Sequence, residues 1–116
     1  IADCDTKADS FYGYYARIIE AIQTKAPNSK IILMTIAYNM GVAKKYNEAI
    51  INIANKYSIP YIIQGDDKFF KSSFYLNNMI SGHPPAIVYS GMAKAYKRLI
   101  ETCMEDNIDY FKDYVG

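Results

Sequence analysis

The run KIILMTIA, Lys30 to Ala37, is apolar or β-branched at nearly every position and does not alternate with polar residues. A strand with one wet face alternates. A strand buried on both faces does not, so this run predicts a place in a parallel sheet covered by helices. The residues around it support that reading. Before it, Phe11, Tyr14, Tyr15, Ile18, Ile19 and Ile22 fall at helical spacing over 9–26, with Asp9 or Thr6 as N-cap and Pro27-Asn28 as the stop. After it, Val42, Tyr46, Ala49, Ile50, Ile53, Ala54 and Tyr57 mark a second amphipathic helix.

A second short strand, Pro60 to Gln64, ends at Gly65-Asp66-Asp67. Residues 68–84 show no period beyond one helical turn at Phe69 and Phe70. A long helix then runs from about Ala86 to Glu105 with Val88, Met92, Tyr96, Leu99 and Cys103 inward, and a short terminal helix follows. The order α-β-α-β-α signals right-handed βαβ units. Two buried strands cannot shield three amphipathic helices, and open sheets have more strands than two. The expectation is a three-layer α/β/α flavodoxin-like parallel sheet, present as its C-terminal portion. Residues 1–116 then form the C-terminal part of one domain, with further chain before Ile1.

Composition narrows the function classes. Thirteen basic and 12 acidic side chains are spread along the 116 residues and leave a net charge of +1, with no basic stripe, so electrostatics give no reason to invoke nucleic acid. The apolar runs are too short to span a bilayer, and no membrane role is expected. Cys4 and Cys103 lie at opposite ends without metal-ligand spacing, so no metal site is expected and their pairing and the compartment stay open.

His83 is the single histidine, set between Ser81-Gly82 and Pro84-Pro85. It is either a general base or a loop residue. Tyr38 and Asn39 follow the end of the first strand, where α/β ligand sites gather, and read equally as substrate contacts or as an exposed loop. Phe74, with Phe69, Phe70 and Tyr75, makes either an apolar pocket beside His83 or local packing. Asp66 and Asp67 could orient His83 or bind a metal, but a solvated turn is the simpler reading. Ser72, Ser73, Ser81 and Ser90 are not in a nucleophile elbow.

Three segments resemble the C-terminal half of the SGNH hydrolases, the GDSL-type esterases and lipases. FYGYYARIIEAIQTKAPNSKIILMTIA is similar to the family's helix, turn and strand, and YNEAIINIANKYSIPYI to its next helix and strand. SGHPPAIVYSGMAKAY resembles the closing block, a His followed by Pro and then by Gly91, Met92 and Ala93 in register. The resemblance implies serine-type ester hydrolysis through an acyl-enzyme, with His83 as general base, a small-molecule or carbohydrate ester as substrate, and no cofactor. The family's GDS nucleophile block and its oxyanion Gly and Asn blocks are not found in this chain. The family's closing block reads DxxH, and here Ile80 stands where that Asp would be. The missing N-terminal half, or a second copy, would pack on the exposed sheet edge. The alternative is a non-catalytic α/β interaction or ligand-binding module. A nucleotide binder would need a Gly-rich strand-to-helix turn, which is lacking.

Overall fold

The computed structural model describes residues 9–114. Helix α1 (Phe11–Lys25) leads to strand β1 (Leu33–Met34), helix α2 (Val42–Lys56) and strand β2 (Tyr61–Ile62). Two 3-10 turns, Gln64–Asp66 and Lys68–Lys71, and the short helix α3 (Ser73–Asn77) precede the long helix α4 (Ala86–Asp106) and helix α5 (Ile108–Phe111). The order and the parallel pairing agree with the sequence reading: Leu33 lies opposite Tyr61 and Met34 opposite Ile62.

The three-layer flavodoxin-like sheet is not there. The described chain is 63% helical, and its sheet is one parallel pair of two strands. The expectation took a buried strand as proof of a wide sheet. Instead the helices cover most of the pair themselves, and the ladder lasts only two residues in each strand. The body that results is flat, 40 × 35 × 21 Å, with a radius of gyration of 15.7 Å. A compact domain of about 100 residues has a radius near 13 Å.

One core cluster joins α1 and α2 over β1. Ile19 and Ile53 are fully buried there, beside Leu33, Ile50, Ala54 and Ile59. Each such aliphatic side chain removes enough apolar surface to contribute roughly 1.5–3 kcal/mol. The inward face of α1 differs from the expected one. Tyr12, Ala16 and Ile19 are buried, whereas Tyr14 and Ile18 are 53% and 59% exposed. Seven apolar residues ring the N-terminal two-thirds of this helix, and α2 covers only one side of them. The N-cap is Ser10, whose Oγ accepts from the Gly13 amide at 3.1 Å, rather than Asp9. Thr6 and Cys4 lie outside the described residues.

Candidate functional site

The chain at the C-terminal ends of β1 and β2 is fixed by two side-chain amides, those of Asn47 and Gln64. Asn47 sits on the inward face of α2 and is 4% exposed. Its Oδ1 accepts from the Ile36 amide at 3.0 Å, and its Nδ2 donates to the Ile36 carbonyl at 3.3 Å, the Tyr38 carbonyl at 3.1 Å and Asn39 Oδ1 at 3.1 Å. Gln64 does similar work from the other strand. Its amide donates to Thr35 Oγ1 at 3.1 Å, its Nε2 donates to the Thr35 carbonyl at 2.9 Å, and its Oε1 accepts from the Tyr96 hydroxyl at 3.0 Å. Thr35 is itself buried. These bonds satisfy the backbone that a two-residue ladder leaves unpaired, and an unmet buried amide or carbonyl would cost about 1–3 kcal/mol.

A cavity of about 780 Å³ opens above these strand ends. Its lining includes Tyr38, Asn39 and Met40 from the segment after β1, and Phe70, Tyr75 and Met79 from the segment before α4. Gly65 is in its wall because the chain passes close to the first strand's exit: a Cβ there would stand 3.0 Å from the Ala37 carbonyl oxygen. The volume suits a small organic molecule. The rim is amphipathic, with Lys44, Lys71, Glu48 and Asp66 set around an apolar floor. Tyr38 and Asn39 therefore stand where strand-end reasoning put them. Phe74 does not line this cavity; it is 42% exposed, its ring centroid 6.2 Å from that of Phe69, and it belongs to the aromatic packing.

That packing joins α3 to α4. Phe69, Phe70 and Tyr75 contact one another edge-on or tilted at 5.1–5.6 Å between centroids. Phe69 lies directly on the α4 backbone at Gly91, where any Cβ would overlap ring atoms Cε1 and Cζ. Gly91 of the GMA triplet thus has a local packing reason to be glycine.

His83 occupies a defined position. Ser81 and Gly82 have φ of +50° and +79°, the pair of positive values a two-residue hairpin turn needs. Across that turn the Ile80 amide donates to the His83 carbonyl at 2.7 Å and the His83 amide to the Ile80 carbonyl at 2.8 Å. Pro84 and Pro85 follow, and Pro85 caps α4. The imidazole is exposed, and its side chain has no hydrogen-bond partner among the described residues. It does not line the cavity; Met79, the residue just before the turn, does. The residue at 80 stands directly across the turn from the histidine, on the same face. Here that residue is Ile80.

The two aspartates do not serve His83. Asp67 Oδ1 accepts from the Phe69 amide at 2.9 Å, capping the second 3-10 turn, and its carboxylate takes both Arg98 bonds, at 2.8 and 3.0 Å. The Arg98 hydrogen bonds hold its pKa below the usual carboxylate range, burial opposes them, and the Phe69 amide adds to the lowering. Asp66 lines the cavity wall from a 3-10 turn. Ser72 caps α3, accepting from the Tyr75 amide at 3.2 Å. Cys103 is buried, and burial followed by the nearby Asp106 raises its pKa, so the thiol stays protonated at neutral pH.

Among the described residues no group of three or more His, Cys, Asp or Glu side chains could hold a metal ion, and no helix is long and apolar enough to cross a membrane. Asn47 and Gln64 were missed in the sequence. The signal for Asn47 was present, a polar side chain inside the apolar stripe of α2 between Tyr46 and Ile50. No known family, curated protein or solved structure matches the chain.

Proposed function

We propose that this chain carries the general base of a serine-type ester hydrolase, His83, beside the cavity that receives the substrate. The observation that carries the reading is the construction of the His83 turn. A hairpin turn before it and two prolines after it fix the backbone, while the imidazole stays open to a partner, four residues along the chain from Met79 in the cavity lining. A loop histidine without a task has no need of that rigidity. The resemblance of SGHPPAIVYSGMA to the closing block of the SGNH hydrolases supports the same role.

In this reading a serine hydroxyl from residues outside the described ones attacks the acyl carbonyl. His83 takes the hydroxyl proton and returns it to the departing alcohol oxygen. It then takes a proton from the water that cleaves the acyl-enzyme and returns it to the serine, releasing a carboxylic acid. In this reading the nucleophile and the oxyanion donors come from an N-terminal half, because their sequence blocks are not found in this chain. With Ile80 across the turn, a Ser-His dyad replaces the usual triad.

The test is hydrolysis of p-nitrophenyl acetate by the full-length protein. His83→Ala should lower kcat/KM by about 10²–10⁴-fold, the usual worth of a general base. It should also abolish labelling by a serine-reactive fluorophosphonate. Equal turnover by wild type and variant, or none by wild type, overturns the reading.

A second reading, a ligand-binding module without catalysis, is favoured by one observation. The cavity is lined without His83, and among the described residues no carboxylate is bonded to the imidazole. It requires that ligand affinity be the same in wild type and His83→Ala.

A further inference from the structure

The carboxamide of Asn39 is ordinarily ambiguous, since its oxygen and nitrogen exchange places by a flip. Asn47 removes the ambiguity here. Its own orientation is fixed because Oδ1 must face the Ile36 amide and Nδ2 must face the Ile36 and Tyr38 carbonyls. Nδ2 carries two hydrogens for three acceptors, so the longest contact, 3.3 Å to the Ile36 carbonyl, shares one of them, and Asn39 Oδ1 accepts at 3.1 Å. That acceptance turns the Asn39 amino group outward, with no partner among the described residues, on the rim of the 780 Å³ cavity.

We propose that Asn47 is a positioning residue that presents the Asn39 NH2 to the cavity as a hydrogen-bond donor for a carbonyl, ester or hydroxyl oxygen of the bound molecule. Two features make the arrangement suited to that task. Asn47 is buried and anchored on a 15-residue helix, so it does not wander with the loop. Asn39 is exposed and stands in the segment between β1 and α2, where a donor can meet solvent-borne molecules. Asn39 and Glu48 both line the cavity, one a donor and one an acceptor.

The inference rests on the ester-hydrolysis reading for its kinetic consequence and on the hydrogen bonds alone for its structural one, so the experiment reads both. Kinetics with p-nitrophenyl acetate are compared for wild type, Asn39→Ala, Asn47→Asp and the double variant. Asn47→Asp keeps the acceptor for the Ile36 amide and loses all three donated bonds, so the fold has a means of surviving it. Each single variant should raise KM about tenfold, the worth of one hydrogen bond, with kcat within about threefold of wild type. The double variant should lose less than the sum of the two single losses, because part of what Asn47 does is done through Asn39. Additive losses, or unchanged KM in either single variant, overturn the proposal.

The structural half is read by three-bond couplings to Asn39 Cγ in isotopically labelled protein. They should report one χ1 rotamer in wild type and averaging in Asn47→Asp. Averaging in the wild type, or a fixed rotamer in the variant, overturns the presentation of the amide. Wild-type protein that fails to hydrolyse the probe defeats the ester reading alone, and the couplings then decide the placement of Asn39.

Discussion

Replacing Gly91 with alanine tests the packing that fixes the wall of the site. In an ordinary helix interior the change is favourable by about 0.5–1 kcal/mol, because alanine loses less backbone freedom on folding. At position 91 the new methyl overlaps Phe69 Cε1 and Cζ, and both the helix backbone and the ring are constrained. The ring cannot slide freely, since Phe70 stands 5.5 Å and Tyr75 5.6 Å away between centroids. Overpacking of a core contact costs about 1–3 kcal/mol, and disturbed aromatic pairs cost about 0.5–1.5 kcal/mol each.

Set against the propensity gain, Gly91→Ala should destabilise the protein by about 1–3 kcal/mol, a drop in Tm of roughly 5–15 °C for a chain of this size. Thermal melts followed by far-ultraviolet circular dichroism measure it. Adding Phe69→Leu should restore part of the loss, because the branched side chain leaves room for the methyl; that coupling is the signature of a steric cause. Ala93→Gly, two residues on and exposed, is the control and should cost about 1 kcal/mol through propensity alone. A Gly91→Ala protein that melts at or above the wild type would refute the reasoning.

Ile80→Asp places a carboxylate across the turn from His83 and should raise kcat/KM for p-nitrophenyl acetate at least about threefold by orienting the imidazole; an unchanged rate means that the orientation is set elsewhere. The Asp67–Arg98 pair gives an acid limb. Because the folded pKa of Asp67 is lowered, its stabilisation is complete above the ordinary value near 3.9 and fades as the pH falls through the folded one. Wild type should therefore lose more Tm than Asp67→Asn between about pH 5 and pH 2, and parallel losses would contradict the pairing. The outer edge of β1 has no strand partner among the described residues, and Ile36, Tyr14 and Ile18 are exposed. Light scattering on the 116 residues should show dimers or larger species, and a monodisperse monomer with a cooperative melt would refute that.

Local chemistry was legible in the sequence wherever neighbours along the chain decide it. The bounds of α4, from Ala86 to Asp106, follow from periodicity after a double proline. The position of the strands and their parallel sense follow from an apolar run between two helices. Tyr38 and Asn39 line a cavity because a strand's end is where a parallel pair leaves room. Ser81-Gly82 announced its turn through Gly82, which takes positive φ at little cost.

Tertiary structure decided everything that depends on a distant partner. The width of the sheet was one such quantity, because an apolar strand asks to be covered and does not say by what; helices answered here. The face of α1 was another. With apolar residues on most of its circumference, only the position of α2 selects Tyr12, Ala16 and Ile19 over Tyr14 and Ile18. The bonds of Asn47 to residues 8–11 positions earlier, and of Gln64 to Thr35 29 positions earlier, have no sequence period, since they join backbone groups that only the fold brings within 3.3 Å. Gly91 is the clearest case. In the sequence it is a helix-weakening residue in a long helix, and in the structure it is the one residue type that lets the Phe69 ring rest on α4.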